Sequence, residues 1–322
     1  MNREAKLVDP DRLAEGAGVM GRMAEILTKK GYQTNSITID LPSEAVEPPR
    51  GSESPLPTTV SSKGPTEFYR GRDPVRMATI RDYVDKLNNR TSVYSNFFGE
   101  AWSETFSDGV QKAAELDAAL SSATLGSQWG TDTAGGNLAM IAKLMQTAGT
   151  RQVDRDFYYA LFPRWDDHNE LLRPHGTRVG ELNDELSDFV TELKTKGLWN
   201  STTVIVFSEF ARTLTPNANL GTDHAWGGNY FLMGGDVAGG RIKGTFPDDL
   251  TDTGKFNVGR GRMLPTTSWE AVWNGVSEWM GVTSTAELDD CLPNRNNVGG
   301  GDFTPLFTKS DLYLHNPNIF GR

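Results

Sequence analysis

Residues 203–208 read Thr-Val-Ile-Val-Phe-Ser, a continuous apolar run that ends at Glu209. The run is too short for a helix and rich in β-branched residues. It describes a strand covered on both faces, as strands of parallel sheets are. Upstream, residues 178–196 place Val179, Leu182, Leu186, Phe189, Val190 and Leu193 on one apolar stripe, and Gly197 closes that helix. Further upstream, Asp156 to Phe162 (Asp-Phe-Tyr-Tyr-Ala-Leu-Phe) reads as a compact aromatic strand. Strand, helix and strand form one right-handed crossover unit. Tyr230 to Met233 supplies a further short strand. The expected fold class is α/β, a mostly parallel sheet with flanking helices.

The same reading extends toward the N-terminus. Residues 18–30 pattern as a short amphipathic helix that stops at Gly31, and Ser36 to Asp40 alternates like a short strand. Residues 42–66 are rich in Pro, Ser and Thr and read as an exposed excursion. Residues 73–90 and 101–122 are helical in pattern, with Val75, Ile80, Val84 and Leu87 at helical spacing. A loop at 126–136 leads to a helix at 138–147, closed by Gly149. Residues 1–322 read as one α/β domain. Its helical N-terminal part spans 18–125 and its core spans 130–307.

Composition narrows the function. The chain has 322 residues, with 32 basic and 42 acidic side chains and a net charge of −10. That field opposes a polyanion, so nucleic acid is not an expected partner. No apolar run is long enough for a membrane span. Residues 1–13 carry no apolar segment of a secretory signal. Two sequons, Asn89-Arg90-Thr91 and Asn200-Ser201-Thr202, matter only in an exported chain. Cys291 stands alone, so a disulfide framework and a thiolate zinc site are excluded. A metal would have to be held by imidazole and carboxylate.

Ligands of open α/β sheets lie beyond the carboxyl ends of the strands. This chain places Asp166, Asp167 and His168 after the first strand of the unit and Glu209 and Arg212 after the second. Asp223 and His224 precede the next strand, in the glycine-rich segment 221–228. Asp166, His168, Glu209, Asp223 and His224 are the candidate metal ligands. Imidazole with carboxylate suits zinc or manganese, and carboxylate alone suits magnesium or calcium. Glu209 and Arg212 are the candidate catalytic groups, Arg212 as a fork for an anionic oxygen. His175, next to Pro174, reads as a helix lead-in, His315 as a solvated tail residue and Cys291 as an inert buried thiol.

Taken in order, several segments resemble a sulfatase-like group of the alkaline phosphatase superfamily, a bacterial domain of unknown function. They are Phe162-Pro163-Arg164-Trp165-Asp166-Asp167-His168-Asn169, residues 197–204, Ser208-Glu209-Phe210-Ala211-Arg212-Thr213, Gly221-Thr222-Asp223-His224-Ala225-Trp226-Gly227-Gly228, residues 234–240, Leu264-Pro265-Thr266-Thr267-Ser268 and Trp279-Met280-Gly281-Val282. The likeness covers roughly residues 130–307, with an echo at 18–40. It implies divalent metals at strand ends and transfer of phosphate or sulfate from a small anionic ester. Asp166 and His168 match the family's mid-chain ligands and His224 its late metal-binding histidine. Glu209 stands where the superfamily carries an Asp-His pair, so one of two metal sites is altered. Asp40 ends a strand, but no nucleophile-bearing helix start follows it. The resemblance therefore implies a member whose first strands and nucleophile are absent. Many such members are exported through the twin-arginine route.

Two functions follow as expectations. One is a metal-dependent hydrolase of phosphate or sulfate esters. The alternative is a non-catalytic binding or assembly protein that keeps the sulfatase-like fold. A weaker third, a glycosidase, would use Asp167 and Glu209 as paired carboxylates.

Overall fold

The computed structural model describes residues 16–65, 74–88, 96–126, 129, 133–297, 301 and 303–314. The N-terminal stretch 1–13, the sequon at 89–91 and His315 lie outside the described residues.

Apolar spacing makes α1, Val19–Lys29, whose buried face includes Met23 and Leu27. Gly31, at φ 88°, turns the chain out of it. The β-branched run that follows is β1, Thr34–Ile39. β1 is the centre of a three-stranded parallel sheet between β2, Thr58–Val60, and β3, Arg155–Tyr159. After β2 come α2, Pro74–Asn88, α3, Phe97–Ser121, and α4, Thr133–Gln146. After β3 come α5, Leu172–Thr195, and β4, Thr203–Val206. Two short strands follow, β5, Ala211–Arg212, and β6, His224–Ala225, then β7, Phe231–Gly234. The chain continues through α6, Trp269–Met280, α7, Thr285–Cys291, and α8, Lys309–Leu312.

The period of two along each strand divides the apolar side chains between two cores. Phe157, Tyr159, Ile205 and Leu232 join the core built by α1, α6 and α7. Ile37, Ile39, Tyr158, Val204, Val206 and Met233 join the one built by α4 and α5. The strands thus lie between two helical layers, an α/β architecture.

Four expectations are corrected. β4 does not pair with β3; it pairs antiparallel with β7, so the parallel sheet has three strands. The stretch 42–66 is not simply exposed: it supplies β2 and a 3₁₀ turn at Glu44–Val46, with Val46 and Val60 fully buried. α5 starts six residues earlier than the pattern indicated, because Pro174 occupies its first turn, where a missing N–H costs nothing. The apolar spacing on α2 is not a core face, since Val75 and Leu87 are exposed.

Candidate metal centre

The loop 165–171, between β3 and α5, is stitched to the segment 212–224 by main-chain bonds. Thr222 N donates to Asp167 O, Glu170 N to Asn219 O and Leu171 N to Leu220 O, while Thr213 N to Asp223 O closes the second segment on itself. The Asn217 amide donates to His168 O. Gly221 lies so close to this backbone that a Cβ there would stand 2.1 Å from the His168 carbonyl carbon. β5 pairs with β6 so that Arg212 faces His224 across the ladder. Six described non-glycine residues adopt positive φ; Glu170 and Leu220 lie in these two segments, Arg164 directly precedes the first, and Arg260 sits on the loop that pairs with Asp223. Strained backbone of that kind persists where surrounding structure imposes it, commonly at functional sites.

These loops bring three side chains to one point. His168 Nε2 lies 2.9 Å from Asp166 Oδ1, His224 Nε2 lies 2.8 Å from the same oxygen, and the two Nε2 atoms are 3.2 Å apart. Adjacent ligands around a zinc-sized ion are spaced about 3.0 Å in an octahedral arrangement and about 3.3 Å in a tetrahedral one, from bonds of about 2.0–2.1 Å. The three separations fall in or near that range. Two imidazoles and one carboxylate form a donor set that suits zinc, iron or manganese. The ring of His224 stacks on Phe210 at 3.9 Å between centroids. The hydrogen bond from His224, followed by that from Arg212, holds the Asp166 carboxyl below its ordinary range.

The other expected site residues fall around this trio. Asp223 is not among the converging donors. It lies 3.4 Å from His168 Nδ1, accepts from Asn217 at 3.2 Å and pairs with Arg260 at 2.6 Å. A carboxylate on the far nitrogen of a ligating histidine sets the ring's orientation and tautomer. Asn217 first and Arg260 second hold the Asp223 carboxyl low. Glu209 is exposed and stands outside the trio, with its charge near Tyr159. Arg212 donates to Thr222 O, Trp165 O and Asp166 Oδ1, so its fork already binds both loops.

Asp167 is buried against Arg178 of α5, with His175 Nδ1 3.5 Å away. His175 thus does more than lead into the helix, as its ring also meets Trp165 edge-on. Of the two carboxylates of the glycosidase reading, Asp167 is engaged in this buried ion pair and Glu209 is exposed. Asn217, Phe210, Arg178 and Arg260 were not singled out from the sequence. Only Arg260 carried a local signal, its place between Gly259 and Gly261.

A family model described as a protein of unknown function, DUF1501, matches residues 51–258. The chain belongs to this family. The match starts earlier and stops earlier than the resemblance over 130–307. It contains Asp166, His168, Asp223 and His224 and leaves out Arg260. Its description names no activity and no tie to the alkaline phosphatase superfamily. No curated protein and no solved structure matches the chain.

Proposed function

We propose that this DUF1501 chain is a metal-dependent hydrolase of phosphate or sulfate esters. One observation carries the reading: Asp166, His168 and His224 bring one ligand atom each within 4.8 Å of one another. Asp166 and His168 lie in the loop after β3, a strand of the parallel sheet, where α/β folds hold their ligands, and β6 brings His224 to them. The sulfatase-like order of its motifs supports the same substrate class. A divalent ion held there would polarise an ester oxygen and lower the pKa of bound water. The chain's own residues do the positioning. Asp223 orients His168, Phe210 holds the plane of His224, and Arg212 fixes Asp166 between the two loops.

The test is zinc or manganese titration of the purified chain by calorimetry, followed by assay on aryl phosphate and aryl sulfate. The expected result is one ion per chain, with His224→Ala and Asp166→Asn each weakening it at least tenfold and abolishing turnover. A wild-type chain that binds neither ion and cleaves neither ester would leave the alternative, a binding or assembly protein on the same scaffold.

A further inference from the structure

Three acids of this site each meet one arginine: Asp166 meets Arg212, Asp167 meets Arg178 and Asp223 meets Arg260. The three guanidiniums differ in what is left of them. Arg178 and Arg212 are 16% and 17% exposed, and Arg212 already serves three oxygens. The Arg260 side chain is 57% exposed. Its Nη2 reaches Asp223 Oδ2 at 2.6 Å, and no other hydrogen bond of its guanidinium is formed among the described residues. The neighbouring Arg262 folds back onto its own loop, donating to Gly259 O and Val258 O.

The backbone presents Arg260 at a conformational cost. Gly259, Arg260 and Gly261 have φ values of 91°, 59° and 68°, three successive left-handed residues. Glycine adopts that region freely, and arginine does so against a steric penalty. The turn is anchored on both sides: Arg260 N donates to Asp252 Oδ1, and Leu214 N donates to Gly261 O. The turn thus holds an exposed cation beside Asp223, and strained positions of this kind cluster at active sites and ligand clamps.

Resting on the hydrolase reading, we propose that Arg260 receives the anionic phosphoryl or sulfuryl group, the role the sequence assigned to Arg212. Asp223 Oδ1 faces His168 Nδ1 while its Oδ2 holds Arg260, so the cation stands one carboxylate away from His168, on the side of that ring away from the converging Nε2. The remaining edge of the fork matches two oxygens of a tetrahedral anion.

The experiment measures binding of inorganic phosphate and sulfate by calorimetry, with and without zinc, in the wild-type chain, Arg260→Gln, Arg260→Lys and Arg260→Asn. Asparagine tolerates the left-handed region, so the last variant keeps the turn while removing the charge. The expected result is at least tenfold weaker anion binding in the Gln and Asn variants and an intermediate loss in the Lys variant, with zinc affinity within about threefold of wild type. Unchanged anion affinity in the Gln and Asn variants, or no anion binding by the wild type, overturns the proposal. So does a loss of zinc affinity with anion binding intact, which would make Arg260 a positioning residue for His168. Absence of zinc binding in the wild type defeats the hydrolase reading instead, and Arg260 is then judged on anion binding to the metal-free chain.

Discussion

At Gly221 the chain has no room for a side chain. An alanine methyl there would overlap the main chain of His168 and Asn169. Gly221→Ala is expected to cost about 1–3 kcal/mol, the usual range for overpacking a fitted site. It should also move His168 away from its partners and weaken zinc binding, which calorimetry beside a denaturant titration would show. The buried pair of Asp167 and Arg178 makes a second test. Arg178→Met strands a carboxylate that is 9% exposed, with an expected loss of about 3–5 kcal/mol in chemical unfolding. A loss below 1 kcal/mol would mean the pair does not tie α5 to the ligand loop.

At the scale of elements, α5 and α3 behave in opposite ways. Leu186, Phe189 and Leu193 of α5 are buried, and Leu193→Ala is expected to cost about 2–5 kcal/mol. On α3, Phe97, Phe98 and Trp102 are 80%, 80% and 65% exposed, although Trp102 stacks on Phe106. Trp102→Ser should therefore change stability by no more than about 0.5 kcal/mol, as read from the midpoint of urea unfolding. Both helices were legible in the sequence, but α3 buries only its last turns, around Ala119 and Leu120, while its start stays exposed. α6 carries local signals at both ends, Ser268 capping its start and Gly281 at φ 113° ending it, and the resemblance includes both ends without marking the helix between them. The pairing of β4 with β7 was not legible. Hydrogen bonds of a ladder join main-chain groups, and these carry no residue code.

Across the whole molecule, burial governs the behaviour at high pH. Desolvation, with the nearby Asp156 charge, pushes the Tyr158 phenol well up, and desolvation likewise raises Tyr313. A raised folded pKa means the folded state holds the proton more tightly. The stabilisation is complete below the unfolded value of about 10 and is lost as pH climbs beyond it. The melting temperature should fall above pH 10, and Tyr313→Phe should flatten that fall. Cys291 is fully buried, and desolvation raises its thiol pKa. A disulfide reagent should therefore leave it unlabelled in the native protein and label it at once in denaturant.

The residue pattern alone determined the α/β class and most of the helices, and it named five candidate donors, Asp166, His168, Glu209, Asp223 and His224. Period and residue type are local properties that survive without a fold. Only the tertiary structure decided that Asp223 stands behind His168, that Glu209 lies outside the trio, and that Arg212 is enclosed while Arg260 is open. Those facts depend on which loops the main-chain bonds at Thr222, Leu171 and Gly261 bring side by side, and distance along the chain does not encode that proximity.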